Sequence, residues 1–368
     1  MRITAVESLI LVDRFHIIRV HTDEGFSGVG TVSAMNARVT DAFVRYALAP
    51  LVVGRDPLDI ERLWHDMFYK PYKLGPAGAH LNAMAGIDIA LWDIAGKAAG
   101  QPIYKLLGGK FREAPQVYAS SMVRGMPPKE EAERALSFKE LGFPGYKIHS
   151  ATRWMYDDGF DQTVETVGEI RKLVGDEFQI LVDVNNAYLP HTAIRVARRL
   201  EEYGVWHFEE PLADHDRGGY ARLCDSVDIP IAAGEQEYTR WQFRDLILRD
   251  HIDILQPDVI KCGGFTEFRK IAAVAQTFNR PITVHNTDPT IGTAAHVHLW
   301  VATPNCIYPQ EYNIEPHRLR ELPILQEPPE VKGGRVAPPE DPGLGVTLDE
   351  DVVERLTTSA SRIDYSAE

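Results

Sequence analysis

Cysteine is scarce in this chain, which has 368 residues but only Cys224, Cys262 and Cys306. Their number is odd and their spacing is wide, so they offer neither a disulfide framework nor a CxxC metal or redox pair. We therefore predict a reducing, cytoplasmic location.

Basic residues are also in the minority, because 39 Lys and Arg face 53 Asp and Glu, for a formal net charge of −14. A general nucleic-acid binder needs a basic face to release counterions from phosphates, so this class is disfavoured. An anionic substrate has to be attracted locally instead. Clustered carboxylates that hold a cation supply one such positive spot in an acidic protein.

Long apolar runs are missing as well. No run approaches the roughly 20 apolar residues of a membrane span. Residues 1–6 lead straight into strand-like alternation, without the apolar region of a signal peptide. With 44% apolar and 25% charged residues, the composition is typical of a soluble globular protein without membrane contact.

The length favours two units, or one large barrel with an appendage. Residues 1–35 alternate with period two around the turn Asp23-Glu24-Gly25, which predicts a β-meander. From residue 38 to 108 the apolar period becomes helical. We therefore predict an α+β domain over residues 1–112.

Between residues 113 and 324, short apolar runs alternate with amphipathic stretches, a rhythm that predicts repeated βα units and a parallel sheet. Eight such units form a TIM-type barrel. Residues 325–368 are rich in Pro and Gly and predict a strap that leaves the barrel. The eight runs are QVYASS, GYKIHS, QILVDVN, VWHFEEP, IPIAAGE, DILQPDV, PITVHN and YPQEYN.

Polar residues end several successive runs. Asp183, Glu209 and Glu235 follow one another at intervals of 26 residues, one βα unit each time. The active site of a barrel gathers at the carboxyl ends of its strands, so these side chains are expected in one cavity. Further polar residues continue the series at Asp258, His285 and Glu311.

Three converging carboxylates repel one another unless a cation lies between them. All-oxygen ligation with room for waters favours a hard divalent ion, so we predict one Mg²⁺, with Mn²⁺ as the substitute. Any one of these residues alone could equally cap the following helix. Three at unit spacing, with Pro211 close behind Glu209, favour the metal site.

Seven segments together carry a resemblance to a known family: GIDIALWDIAGK, LLGG, VDVN, FEEP, AAGE, LQPDVIKCGG and EYN. The chain resembles the enolase superfamily, mandelate racemase subgroup, over essentially its whole length, and within it most the sugar-acid dehydratases. The resemblance implies an N-terminal α+β capping domain over a modified (β/α)7β barrel, with residues 325–368 returning to the cap. It also implies a homo-oligomer, an octamer or a dimer.

The resemblance implies a role for each polar residue. Asp183, Glu209 and Glu235 look like the ligands of one Mg²⁺ per subunit, whereas Glu210, the second Glu of FEEP, matches the ligand less well. The remaining assignments follow the same motifs: Asp258 orients the base His285, Glu311 hydrogen-bonds the substrate carboxylate, Lys147 stabilises charge, and Asn185 contacts substrate.

The physical chemistry agrees with these roles, since a proton next to a carboxylate is removed only where fixed positive groups meet the developing charge. An imidazole with a pKa near roughly 6.5 suits a residue that accepts and returns a proton.

One position departs from the family pattern, because His149 stands where mandelate racemase has a second lysine. Period-two alternation places it on the same side of the strand as Lys147, facing the barrel interior. Three roles stay open for His149: a second acid/base, a ligand of a substrate hydroxyl, or interior packing. Racemisation needs two opposed bases and dehydration can use one, so the change favours dehydration.

The preferred reaction is dehydration of an aldonate or aldarate to a 2-keto-3-deoxy acid. A racemase, epimerase or lactone cycloisomerase that uses the same enolate is the alternative, and an inactive binding or structural barrel is a third. The short connection at residues 12–16 resembles members that act on polar aldonates. Asn36, in a predicted lid at residues 33–36, and Tyr72 are candidate substrate contacts, although Tyr72 could equally pack between the domains.

Overall fold

The computed structural model describes residues 1–315 and 323–366. Its N-terminal part is an antiparallel meander of β1 (Ile3–Leu11), β2 (Phe15–Thr22) and β3 (Ser27–Val32). A fourth strand from the other end of the chain, β13 (Thr357–Asp364), pairs antiparallel with β1, so the sheet order is β13-β1-β2-β3. The C-terminal segment is therefore built into the same sheet as the N-terminus.

Helices cover one face of this sheet: α1 (Ala37–Phe43), α2 (Ala49–Val52), α3 (Ile60–Tyr69), α4 (Ala79–Ala99) and α5 (Ile103–Leu106). A π-helical stretch, Val44–Leu48, joins α1 to α2, and a 3-10 turn, Tyr72–Leu74, follows α3. Helix α4 lies directly on β3, where a Cβ on Gly30 would stand 2.0 Å from the carbonyl oxygen of Gly86. Only glycine permits this close approach.

The rest of the chain forms a curled parallel sheet in the order β10-β4-β5-β6-β7-β8-β9. Its strands are β4 (Val117–Ser120), β5 (Gly145–His149), β6 (Gln179–Asp183), β7 (His207–Glu209), β8 (Ile231–Ala233), β9 (Ile254–Leu255) and β10 (Gln310–Asn313). The helices between them are α6 (Pro128–Glu140), α7 (Thr163–Val174), α8 (Pro190–Glu201), α9 (Arg217–Cys224), α10 (Arg240–Leu248), α11 (Phe265–Thr277) and α12 (Ile291–Ala302). The predicted fold class, a modified barrel with an α+β cap, is confirmed.

The predicted seventh run, PITVHN, closes the gap between β9 and β10 without forming a regular strand. This closing segment, residues 281–286, makes one parallel bridge, between Ile282 and Leu255 of β9. On its other side the side chain of Gln310 replaces the ladder, because its Oε1 accepts from Val284 N at 2.9 Å and its Nε2 donates to the Ile282 carbonyl at 3.2 Å. The barrel is thus closed by side-chain hydrogen bonds at one seam.

The cap rests on the end of the barrel where the strands terminate. Asp88 of α4 accepts a hydrogen bond from the backbone of Thr266 at the start of α11, at 3.0 Å, and Trp92 Nε1 donates to the Thr266 hydroxyl at 2.9 Å. Ser33 N, just after β3, donates to the Ile260 carbonyl at 3.3 Å. These contacts hold the cap loop over the carboxyl ends of the barrel strands.

The tail adds a small hairpin, β11 (Val331–Lys332) and β12 (Arg335–Val336), and a helix, α13 (Glu350–Leu356), before β13. No helix in the described ranges, residues 1–315 and 323–366, has the length and apolarity that crossing a membrane requires.

Candidate active site

Three carboxylates meet at the carboxyl ends of neighbouring strands. Asp183 ends β6, Glu209 ends β7 and Glu235 lies two residues after β8. All three side chains are buried, and one oxygen atom of each lies within 4.8 Å of the others. These residues are called the carboxylate triad below. Their all-oxygen donor set and their spacing fit a hard divalent cation such as Mg²⁺.

Lys147 of β5 stands beside the triad and is fully buried. Its Nζ donates to both carboxylate oxygens of Glu209 at 2.9 Å and lies 2.6 Å from Glu311 Oε1. Burial disfavours the ammonium, but the carboxylates of Glu209 and Glu311 outweigh burial and raise the pKa of Lys147 above its usual range. The side chain is therefore a permanent positive charge at the base of the cavity.

His285, on the closing segment, lies between two carboxylates. Its Nδ1 donates to Asp258 Oδ2 at 2.8 Å, and its Nε2 is 2.9 Å from Glu235 Oε2. Burial opposes protonation of this imidazole, yet Glu235 and Asp258 together raise its pKa well above the ordinary value. The arrangement fixes the ring, makes it basic and aims Nε2 at the triad.

His149 approaches the triad from the other side. It ends β5, and its Nδ1 donates to the backbone carbonyl of Ser121, which orients the ring. Its Nε2 is 2.9 Å from Asp183 Oδ2. His149 therefore reaches the triad at its β6 member and His285 at its β8 member, so an imidazole stands at each end of the metal site.

Glu311 of β10 is held by a hydroxyl and a backbone amide. Ser120 Oγ donates to its Oε1 at 2.7 Å, and Asn286 N donates to its Oε2 at 2.8 Å. With Lys147 at 2.6 Å from Oε1, three partners hold the carboxyl group in place. This places it where the resemblance expects a contact to the substrate carboxylate.

The backbone after β6 and β7 takes an unusual course. Asn185 and Glu210 both have positive φ angles, 40° and 42°, a region that non-glycine residues seldom occupy. The turn lets Asn185 donate to Asp183 twice, from N at 2.8 Å and from Nδ2 at 3.1 Å. Such strain is typical of functional sites, and here it fixes the first carboxylate of the triad.

Glu210 is buried beside the triad but is not one of the three clustered carboxylates. Burial and the charges of Glu235 and Asp183 raise its pKa well above the usual value.

A cavity of about 400 Å³ opens above these residues, between barrel and cap. Its wall includes His149, Asn185, Glu235, His285 and Glu311. The cap contributes the loop after β3, namely Ser33, Ala34 and Met35.

Two cap residues that were predicted to contact the substrate do not line this cavity. Asn36 precedes α1 and is not among the residues that line the wall. Tyr72 is 47% exposed and packs its ring against Phe68 and Tyr69 within the cap. Their contact with substrate stays a prediction.

Three cationic residues that the barrel contributes to the wall were not predicted from the sequence: Arg124, Arg153 and Lys261. Arg124 lies in the loop after β4 and Arg153 in the loop after β5. Lys261 follows Asp258 by three residues and is buried. The available signal was their position shortly after an apolar run, which marks the active end of a barrel.

Comparison with known families gives two matches that together span most of the chain. Residues 4–108 match the mandelate racemase / muconate lactonizing enzyme N-terminal domain. Residues 129–352 match the enolase C-terminal domain-like family.

Individual relatives agree with these matches. Arabinonate dehydratase from Saccharolobus solfataricus is 32% identical over 91% of this chain and 88% of its own length. D-galactonate dehydratase from Xanthomonas oryzae pv. oryzae is 34% identical over 96% of this chain and 94% of its own. Among solved structures, an enolase superfamily member from Salmonella Typhimurium superimposes with a TM-score of 0.91 at 28% identity, covering 99% of this chain and all of the other.

Proposed function

The chain belongs to the mandelate racemase / muconate lactonizing enzyme family of the enolase superfamily, and on this premise we propose that it is a sugar-acid dehydratase. Its substrate is an aldonate or aldarate, and its product is the 2-keto-3-deoxy acid. Relatives named as dehydratases of arabinonate and D-galactonate, each aligned over more than nine tenths of this chain, support the reaction type.

The observation that carries the proposal is the His285 geometry. One ring nitrogen bonds to Asp258 at 2.8 Å, and the other faces the triad at Glu235. In the proposed first step, His285 Nε2 takes the proton from the carbon next to the substrate carboxylate. Asp258 holds the ring and stabilises the imidazolium that forms.

Charge that develops on the substrate carboxylate has to be met by fixed positive groups. We propose that Asp183, Glu209 and Glu235 hold one Mg²⁺, with Mn²⁺ as the alternative, and that this ion supplies part of that charge. Lys147 supplies the rest from the neighbouring strand, β5. Glu311, held by Ser120 and Asn286, hydrogen-bonds a carboxylate oxygen of the substrate when it is protonated.

In the second step the bond between the β-carbon and its hydroxyl oxygen breaks. His149 Nε2 donates a proton to that oxygen, so that it leaves as water, and the electron pair of the former C–H bond forms the carbon–carbon double bond. The resulting enol becomes the ketone by losing its hydroxyl proton and gaining a proton at the β-carbon. Both imidazoles return to their starting states by exchange with solvent.

One observation also favours a second candidate. His149 and His285 reach the triad from its two ends, which is the arrangement that a racemase or epimerase needs for proton transfer on both faces. In that reaction the product keeps the composition of the substrate and no water is lost.

A screen of mono- and diacid sugars with Mg²⁺ in D₂O tests these proposals. Formation of a 2-keto acid supports dehydration. Inversion with uptake of deuterium, and without a 2-keto product, replaces dehydration by racemisation. If no acid exchanges its α-proton, the proposed chemistry is wrong and a binding or structural role takes its place.

A homo-oligomer, octamer or dimer, stays a prediction from the family resemblance, and a cytoplasmic location stays a prediction from the cysteine content. Size-exclusion chromatography with light scattering measures the first directly.

A further inference from the structure

Two arginines in the cavity wall have cationic groups that no acidic side chain pairs. Arg124 donates to the Ser150 carbonyl at 3.2 Å and to the amide oxygen of Asn185. Arg153 lies over the ring of Trp154, at 3.9 Å from the centroid, and its Nε is buried without a hydrogen-bond partner. Among residues 1–315 and 323–366, neither guanidinium forms an ion pair with a carboxylate.

The two charges also act on each other. Burial lowers the pKa of Arg124, the negative charge of Asp183 raises it, and the nearby Arg153 lowers it further. The carboxylates of Asp183 and Glu235 favour the charge on Arg124 without forming an ion pair with it, since Asp183 faces His149 and Glu235 faces His285. Two adjacent, partly buried guanidinium groups are unfavourable unless an anion binds between them.

The position of the pair in the barrel separates it from the reacting carbon. Lys147, His149 and Glu311 lie on strands, whereas Arg124 and Arg153 each come four residues after the last residue of β4 and β5, in loops beyond the strand ends. The reacting carboxylate already has partners of its own in Lys147 and Glu311. The pair therefore faces another part of any ligand that fills the cavity.

We propose that Arg124 and Arg153 form a subsite for a second anionic group on the substrate, so that the preferred substrate is a dianionic sugar acid. This inference rests on the proposed dehydratase function and narrows its substrate class. Guanidinium groups recognise carboxylates and phosphates through paired N–H donors, so the second group is a terminal carboxylate, as in an aldarate, or a phosphate ester. The names of the dehydratase relatives, in contrast, give aldonates with a single acidic group.

Matched substrates test the subsite. The magnesium-loaded enzyme is assayed with D-gluconate, D-glucarate and 6-phospho-D-gluconate, and with the galacto and xylo counterparts of each. Within a configuration that is turned over, one dianion is expected to have a kcat/KM at least about tenfold above that of the monoanion. The aldarate and phosphate arms show which second group is used.

Substitutions of the two arginines test whether they cause the preference for the dianion. Arg124→Gln and Arg153→Gln are each expected to lower kcat/KM for the preferred dianion by about 10- to 100-fold and to change the monoanion by less than about threefold. Arg195→Gln, on the exposed side of α8, is the matched control and should change neither. Calorimetric binding of the dianion to His285→Asn and to the double variant His285→Asn/Arg124→Gln gives the same comparison without turnover.

The outcomes separate the inference from the function on which it rests. If the monoanion equals or exceeds its dianionic partners, or if either arginine variant keeps the full preference, the subsite is overturned while dehydration stands. Equal losses for both substrates assign the arginines to the reacting carboxylate and also overturn the subsite. If no substrate of the panel yields a 2-keto acid, the proposed function itself fails.

Discussion

The two ends of the carboxylate triad are approached by the same type of side chain, a histidine, but the two rings have different hydrogen-bond partners. His285 Nδ1 donates a hydrogen bond to the carboxylate of Asp258, whereas His149 Nδ1 donates to the backbone carbonyl of Ser121. A carboxylate fixes the ring and also stabilises its protonated form, while a carbonyl fixes the ring without adding a full charge. The comparison supports the proposal that His285 abstracts the proton and His149 donates one.

The backbone segments that carry the two histidines also differ, since one is a regular strand and the other is not. His149 ends β5, which pairs with β4 on one side and β6 on the other. His285 lies on the closing segment, which depends on a single bridge and on the side chain of Gln310. The proposed base thus lies on an irregular segment held partly by side-chain hydrogen bonds, and the proposed acid lies on a regular strand.

Replacement of the base is expected to have the largest effect. His285→Asn should lower both dehydration and α-proton exchange by about 10³-fold or more, because no other group takes the proton. Turnover and deuterium uptake at the α-carbon, followed by NMR in D₂O, measure both. His191→Asn, on the exposed surface of α8, is the control and should match the wild type. Deuterium exchange at the wild-type rate in His285→Asn would remove the assigned base.

Replacement of the acid should separate the two steps. His149→Asn is expected to lower dehydration by about 10²-fold while α-proton exchange continues, because the proton is still removed but the hydroxyl leaves without assistance. The same NMR experiment reports both rates. If exchange falls in parallel with dehydration, His149 acts before or with His285 and the two-base reaction gains support.

Removal of the carboxylate behind the base should give a smaller effect with a defined pH dependence. Asp258→Asn is expected to lower kcat about tenfold. Because Glu235 and Asp258 hold the pKa of His285 above its ordinary value, loss of one charge lowers that pKa. The base must be unprotonated to act, so the acid limb of the kcat/KM profile should move to lower pH. A shift to higher pH, or no shift, would contradict the role of Asp258.

Much of the site follows from the sequence because barrel geometry repeats. One βα unit takes about the same number of residues each time, so the spacing of Asp183, Glu209 and Glu235 was enough to predict that they meet. His285 and Asp258 extend the same series and lie 2.8 Å apart. Their pairing was predicted from the family resemblance, and their places in the series agree with it.

Other features could not be predicted for physical reasons. The closing segment has the apolar pattern of a strand, yet its hydrogen bonds go partly to the side chain of Gln310, which no periodicity encodes. Arg124 and Arg153 lie in loops, where direction depends on turns rather than on a repeat. The distance of Tyr72 from the cavity depends on how the cap docks, and a local pattern carries no information on docking.

The account depends most on one divalent ion held by the three carboxylates. Calorimetric titration of Mg²⁺ into chelator-treated protein tests this directly, with Asp183→Asn and Glu235→Gln as variants and Asp176→Asn, in an exposed loop, as the control. We predict one ion per chain for the wild type and the control, and at least about tenfold weaker binding for each triad variant. Unchanged affinity in folded Asp183→Asn and Glu235→Gln would contradict the metal site and the chemistry derived from it.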